Sequence, residues 1–458
     1  MSIHSLHVKR DFSLFCNKRI TVMGLGLHGG GEGTARFLAK AGANVTVTDL
    51  KTRAELAPSI NKLKGMPIRY VLGRHVVKDF TNADMVVYNP GIRAKFMRLE
   101  DSPYLAAALK KGVPLETDIG IFFDLANRGQ IVGVTGSKGK STTAALIAHL
   151  LKQKYPDTLL AGNIRTSVFD VLPRITSKTP IVLELSNWQL EGLAKKNISP
   201  HIAVITNILH EHLNTYRNFH GYIEAKKHIL RFQKPDDIAV LNKSLAQWEE
   251  FKEPCGKARR VWFAKREPLD HKDELKLPGA HNRENLVAAL AVARLYRIPA
   301  FRIRKALATF EGLEGRLQTV RTDRGITCIN DTTATMPDAV IAALRSMPRP
   351  QNTILIVGGV DKKFDFNPMA RFIAAYPPKA LVMLPGSATE KLINALRKAH
   401  CPSPIIEASS MRQAVYSAWK AAQKGDTILL SPGAASFNLF KNEFDRGEQF
   451  VKAVNKIR

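Results

Sequence analysis

The sequence predicts three α/β domains: a Rossmann-like domain first, a central domain of the P-loop ATPase type, and a second Rossmann-like domain at the C-terminus. Three observations carry this expectation. Two glycine-rich turns, at 24–29 and 133–143, each follow a short apolar, β-branched run and precede a helical pattern. From 326 onward, strand and helix alternate through four strands, each ending in small, polar or glycine residues. The length of 458 residues fits about three domains of roughly 150 each. Boundaries are expected at 1–126, 127–315 and 316–458, with Asn127-Arg128-Gly129 as a linker.

In the first domain, 19–23 reads as a strand. The turn Gly24-Leu25-Gly26-Leu27-His28-Gly29 follows, then a helical pattern over 34–40 and a strand over 44–48 that ends at Asp49. Glycine turn, helix and acidic strand end make up the dinucleotide fingerprint. A phosphate meets N–H groups at the helix start, and Asp49 faces a sugar or base. A tight turn without a ligand is the alternative. A third strand, 84–88, reaches Asn89-Pro90-Gly91 at the carboxyl edge, where open α/β sheets bind ligands.

The central domain opens with Gly133-Val134-Thr135-Gly136-Ser137-Lys138-Gly139-Lys140-Ser141-Thr142-Thr143, between a strand at 131–135 and a helical run at 144–152. Glycines let N–H groups turn toward an anion, and the helix N-terminus adds its dipole. Lys140 adds a full charge, and the Ser141 hydroxyl suits Mg²⁺. The common motif has its first glycine six residues before the lysine, a position held here by Val134. The strand 180–185 is apolar apart from Glu184. A buried carboxylate is costly unless paired or metal-bound, and Mg²⁺ is the expected partner beside a phosphate loop. The strand 201–206 leads through Asn207 to His210-Glu211-His212-Leu213-Asn214-Thr215-Tyr216, either metal ligands or a hydrogen-bonding loop. A helix with Glu224, Lys226 and Lys227 and a strand at 238–241 follow. Leu277-Pro278-Gly279-Ala280-His281-Asn282 precedes an alanine-rich helix at 285–294.

The third domain has strands at 326–330, 353–357, 380–384 and 427–430. They lead into Asp331-Thr332-Thr333-Ala334-Thr335, Gly358-Gly359-Val360-Asp361-Lys362, Pro385-Gly386 and Ser431-Pro432-Gly433-Ala434-Ala435-Ser436. Those four loops form its expected binding edge.

Composition narrows the class. A hydrophobic fraction of 45% with 24% charged residues is that of a globular protein. No apolar run approaches the roughly 18 residues of a membrane span, and 1–18 lacks a signal-peptide core. The four cysteines are far apart, without metal-site spacing. A cytoplasmic protein with free thiols is expected. The net charge of +28 favours anionic partners. Its densest clusters, Lys257-Ala258-Arg259-Arg260 and Arg302-Ile303-Arg304-Lys305, are short. They read as solvated surface, with no nucleic-acid partner. A basic nucleotide- or RNA-binding protein is the alternative from a different class.

Taken in order, these segments resemble the Mur ligases, most closely their glutamate-adding members, over essentially the whole chain. The resemblance rests on the loop 135–142 with its shifted glycine and on Leu183-Glu184-Leu185-Ser186-Asn187-Trp188-Gln189-Leu190-Glu191. It rests also on 207–216, Lys226, Pro278-Gly279-Ala280-His281-Asn282, Gly315-Arg316, Asn330-Asp331, 431–436, Phe440-Lys441-Asn442 and Arg446-Gly447. It implies a ligase of peptidoglycan precursor synthesis, a monomer, that turns a carboxylate into an acyl phosphate with ATP and lets an amine displace the phosphate. The substrates it implies are UDP-N-acetylmuramoyl-L-alanine and glutamate, in the D form. The first domain then holds a UDP-sugar through Gly26, Leu27, His28, Asp49 and Asn89, with Asn163 further along the substrate.

The same resemblance implies Lys140, Glu184, His212 and Lys226 as catalytic groups. ATP would meet Ser137, Lys138, Gly139, Lys140, Ser141, Thr142, Thr143, Asn282, Arg316 and Asp331. Two Mg²⁺ ions are implied, one on Ser141 and Glu184, the other on His212 and a carbamylated Lys226. Thr335, Lys362, Ser436 and Phe437 would hold the amino acid. Two departures keep L-glutamate or another amino acid open. Thr333 stands where the family has lysine, and Glu443-Phe444 reverses the usual order.

Overall fold

The computed structural model describes residues 12–27, 29–93, 99–164, 166–209, 216, 218–253, 255–264, 280–310, 312–361, 364–436 and 439–457. Among these, three sheets form. The first contains β1 (Arg19–Met23), β2 (Asn44–Asp49), β3 (Ile68–Leu72), β4 (Met85–Tyr88) and β5 (Leu115–Glu116), in the order β3-β2-β1-β4-β5. All its pairs are parallel. The strand order reverses between β1 and β4, so the loops that follow these two strands share the sheet's switch point.

The second sheet contains β6 (Ile131–Thr135), β7 (Leu159–Gly162), β8 (Ile181–Glu184), β9 (Ile202–Ile205), β10 (Ile238–Asn242) and β11 (Arg259–Phe263). Its order is β11-β10-β9-β6-β8-β7, again all parallel. The strand before the phosphate loop is flanked by β8 and β9, so Glu184 and Thr206 end up on either side of that loop.

The third sheet contains β12 (Gln318–Asp323), β13 (Ile326–Asn330), β14 (Thr353–Gly358), β15 (Ala380–Leu384), β16 (Ile405–Glu407) and β17 (Thr427–Leu430). Its order is β12-β13-β17-β14-β15-β16, with only the β12–β13 pair antiparallel.

Every strand read from the sequence is present, with ends shifted by no more than a residue or so. The strands that sequence reading omitted are β3, β5, β7, β11, β12 and β16, which are the two edges of each sheet. Interior strands such as β6, β8 and β9 are buried along their whole length. Parallel strands covered on both faces read as continuous apolar runs. The edges are half-exposed, as at Ile68–Leu72 and Gln318–Asp323, and their polar residues break that signal.

Three helices begin earlier than their sequence pattern: Gly30–Lys40, Lys140–Leu151 and Ala280–Leu295. The first two start directly on a left-handed glycine, Gly29 and Gly139. Their first turns are rich in Gly, Ser and Thr, which suit an anion-facing N-terminus rather than an apolar stripe.

The described residues divide into two units, one within 1–271 and 284–307 and the other within 272–283 and 308–458. The first unit contains two sheets, and one hydrophobic core runs continuously from β1 and β2 to β8, β9 and β10. Helix Gly30–Lys40 joins them. Phe37 stacks on Phe169, with ring centroids 4.3 Å apart and planes 2° apart. Arg36 bridges Glu32 and Asp170 at 2.7 Å each. Gly33 permits this approach, because a Cβ there would stand 2.3 Å from the Ser167 hydroxyl. In the second unit, two apolar clusters cover the two faces of the third sheet.

Candidate active site

The phosphate loop is built from β6, the start of helix Lys140–Leu151 and the end of β9. Val134 is fully buried in β6, paired to Glu184 of β8 and Val204 of β9. That position lies inside the strand, so no glycine is needed there. The loop's unusual backbone falls instead at Gly136 (φ 149°) and Gly139 (φ 80°). At Gly139 a Cβ would come within 2.1 Å of the Asn285 carboxamide oxygen, which also accepts the Thr143 hydroxyl at 3.2 Å. Thr206 and Asn207 frame the loop from β9. The Thr206 hydroxyl donates to the Lys138 carbonyl at 2.6 Å. The Asn207 side chain accepts the Lys138 N–H at 2.9 Å, and its carbonyl accepts the Ser137 N–H at 2.9 Å.

Lys140 folds back on its own loop, donating to the carbonyls of Gly136 at 3.0 Å and Ser137 at 2.8 Å. Buried Lys226, on helix Phe219–Arg231, donates to the same Gly136 carbonyl at 2.9 Å. Its ammonium also lies 4.7 Å from the Tyr222 ring centroid. The Ser137 hydroxyl is 2.8 Å from the Tyr222 hydroxyl and accepts the Leu209 N–H at 2.9 Å. Ser137 and Thr143 are thus tied into the scaffold, whereas Lys138 is exposed and Gly139, Lys140 and Thr142 are half-exposed along the open side.

Glu184 ends β8 at 2% exposure. One carboxylate oxygen accepts from the Asn163 side chain at 3.0 Å, while the other is buried with no hydrogen-bond partner among the described residues. An orphaned buried carboxylate oxygen beside a phosphate loop fits a divalent cation. Ser141, buried in the first turn of helix Lys140–Leu151, offers a hydroxyl on the adjacent strand's loop. Among the described residues no three of His, Cys, Asp and Glu cluster as a metal cage. His212 lies outside the described residues, as do His28, Lys362 and Phe437.

At the first sheet's switch point, Asp49 is turned onto the glycine loop. Its carboxylate accepts the N–H groups of Leu25 at 2.9 Å, Gly26 at 3.2 Å and Lys51 at 3.0 Å. Ser59 donates to the Gly26 carbonyl at 2.7 Å. Asp49 thus clamps the loop from the strand end at which the fingerprint expects an acid to face a sugar or base. Leu27 remains half-exposed beside it. Asn89 crosses from β4, its side chain capping Gly91 N–H at 2.9 Å and lying against Gly24 and Gly30. Sequence reading missed Asp118, in the first turn of helix Asp118–Leu125. It lines a small pocket with Gly24, Gly30 and Asn89, and burial pushes its carboxyl up to about 6. An acid opening an apolar helix carries the same signal that drew attention to Glu184.

In the third sheet, β13, β17 and β14 bring their loops together. Asp331, 8% exposed, accepts the Ser431 hydroxyl at 2.9 Å and the Leu317 N–H at 3.2 Å. Burial raises its carboxyl to about 7. Arg316 is exposed nearby in sequence, and Thr335 is half-exposed. Ser436 is buried, and its hydroxyl has no hydrogen-bond partner among the described residues. Asn282 is buried in the first turn of helix Ala280–Leu295. Thr333 donates to the Gly315 carbonyl at 2.9 Å. Its hydroxyl thus fastens the turn before Arg316. In the sequence, Arg446 stands out only within the pair Arg446-Gly447. It is fully buried and donates to the Thr332 hydroxyl (3.1 Å), the Thr332 carbonyl (2.8 Å) and the Ala434 carbonyl (3.0 Å). It ties the loops after β13 and β17 together, and burial lowers its guanidinium to about 10.

Three family models match the chain in order. They are the Mur ligase MurD-like N-terminal domain at 18–116, the Mur ligase middle domain at 134–267, and the Mur ligase glutamate ligase domain at 315–433. The chain is 42% identical to a UDP-N-acetylmuramoylalanine–D-glutamate ligase of Roseiflexus, over 96% of this chain and 99% of that one. It is 38% identical to the like-named protein of Borreliella afzelii, over 96% and 98%. Among solved structures it resembles UDP-N-acetylmuramate-alanine ligase MurC of Thermotoga maritima, with a TM-score of 0.63 and 20% identity over 96% of this chain and 99% of that one.

Proposed function

The chain belongs to the Mur ligase family, and from that premise we propose that it joins D-glutamate to UDP-N-acetylmuramoyl-L-alanine, with ATP activating the carboxylate. The observation that carries the chemistry is the buried, half-unpartnered Glu184 carboxylate beside the Lys140 loop. The near-full-length identity to D-glutamate ligases supports the choice of amino acid.

In this reading the substrate carboxylate attacks the γ-phosphorus of ATP and ADP leaves. The glutamate amine then attacks the acyl carbon, loses a proton, and inorganic phosphate departs. Lys140 moves from its two loop carbonyls onto the phosphates. The first N–H groups of helix Lys140–Leu151 receive the same oxygens. Glu184 and Ser141 hold one Mg²⁺, which supplies charge neutralisation for phosphoryl transfer. Asn163 orients the Glu184 carboxylate from one side. Carbamylation would make Lys226 an anionic ligand for a second Mg²⁺ with His212; the buried ammonium itself is no ligand.

Gly26, Leu27, His28 and Asn89 take the UDP-sugar, with Asp49 holding their loop in shape. Asn282, Arg316 and Asp331 take the nucleoside end of ATP. Thr335, Lys362, Ser436 and Phe437 take the amino acid, with the Ser436 hydroxyl still in need of an acceptor or donor.

The test is phosphate release and product identification with UDP-N-acetylmuramoyl-L-alanine, ATP and Mg²⁺, offering D-glutamate and L-glutamate separately. Release and product with D-glutamate only are expected. A product with L-glutamate alone would overturn the stereochemical assignment. Salt-sensitive RNA binding with no phosphate release under any combination would overturn the ligase reading.

A further inference from the structure

Among the short basic clusters of the sequence, Arg302-Ile303-Arg304-Lys305 is not used by the ligase chemistry. It lies on helix Ala300–Thr309, which buries Ile303, Ala306 and Leu307 and turns the remaining side outward. On that outward side Phe301 is 62% exposed, a large apolar side chain amid cations. The Arg302 guanidinium lies 5.8 Å from the Phe301 ring centroid and donates to the Gln153 carbonyl at 2.6 Å. That bond joins the helix to the turn that follows helix Lys140–Leu151. There Lys154 donates to the Tyr296 carbonyl at 3.0 Å and lies 5.4 Å from the Tyr155 ring. Tyr155 and Tyr296 meet edge to face at 5.7 Å. Lys152, Lys154, Arg297, Arg302 and Arg304 are all exposed, and the described residues give none of them an ion-pair partner. Across 144–157 and 285–310 the only acidic residue is Asp157. The face is therefore cationic, with Phe301 exposed on it and Tyr155 and Tyr296 half-exposed beside it.

We propose that this face docks the protein on an anionic lipid bilayer. Lys and Arg are drawn to a negatively charged leaflet, and aromatic side chains prefer the boundary between headgroups and acyl chains. An amphipathic helix with basic residues around an exposed Phe lies in that plane. The face contains none of the groups assigned to ligation, so docking leaves the chemistry unobstructed and does not depend on the ligase reading.

The test is sedimentation of the full chain with vesicles of phosphatidylcholine alone and of phosphatidylcholine with phosphatidylglycerol, at low and high salt. Binding to the phosphatidylglycerol vesicles and none to neutral ones is expected. The double variant Arg302→Glu/Arg304→Glu should lose roughly tenfold or more of that binding, given the attraction contributed by each basic residue. Phe301→Ser should remove the part that survives high salt. Phosphate release in solution should be unchanged in both, which confirms that they fold. Equal binding to neutral vesicles would overturn the proposal, as would no binding or full binding by the variants. RNA binding that the same variants abolish, with no vesicle binding by the parent chain, would give the face to nucleic acid instead.

Discussion

Lys140 and Lys226 converge on one carbonyl, that of Gly136, from positions 86 residues apart in the chain. Lys140→Ala is expected to lower phosphate release by at least about 100-fold, the scale of losing one charge-stabilising group; near-normal release would refute its role. For Glu184 two effects separate. Glu184→Gln removes a buried charge with an unpartnered oxygen, so thermal stability without Mg²⁺ should hold or rise. The same variant should need far more Mg²⁺ for half-maximal phosphate release. An unchanged Mg²⁺ requirement would remove Glu184 from the metal site. Asp331 gives a pH prediction. Its carboxyl rises from an ordinary value near 3.8 to about 7 on burial. The folded chain therefore keeps that proton after the unfolded chain has lost it. Between those two values stability falls as pH rises, by up to about 4 kcal/mol. Asp331→Asn should flatten the pH dependence of the urea midpoint across that window. A slope like that of the parent chain would show that Asp331 is not the titrating group.

At the scale of elements, the phosphate loop shows how local sequence and neighbouring strands divide the work. The glycines, Lys140 and the helix start are contiguous, so their pattern was readable. The partners that hold the loop, Thr206, Asn207 and Asn285, come from elsewhere in the chain. Of these only Asn207 stood out in the sequence. Gly139→Ala should destabilise the protein by about 1–3 kcal/mol, from its left-handed backbone and the contact with Asn285. It should also weaken nucleotide binding. Asn285→Ala added to it relieves the contact but not the backbone, so urea unfolding of the double variant should recover only part of the loss. Full recovery would mean that the backbone conformation costs nothing. The missing edge strands follow the same logic. Their residues are half-exposed, as in β3 and β12, their apolar runs are short and broken by polar residues, and pairing with a buried neighbour makes them strands.

At the scale of the molecule, three glycine- or lysine-bearing loop regions sit at the carboxyl edges of three parallel or mostly parallel sheets. The first two sheets share one core across Phe37 and Phe169. The fragment 1–126 made alone should expose that surface, lose sharp near-ultraviolet dichroism, and unfold without a cooperative transition. A cooperative transition in that fragment would show that the shared core is dispensable.

The three-part α/β fold, its interior strands and the loops that end them are legible from residue order alone. Those signals are local: a buried parallel strand must be apolar, and a phosphate-facing turn must be glycine-rich. That Asp49 clamps its own loop, that one Glu184 oxygen has no partner among the described residues, and that buried Arg446 ties two loops together follows only from the folded chain. Such contacts depend on which strands lie side by side. Sheet order is fixed by packing across long sequence separations, and no local pattern records it.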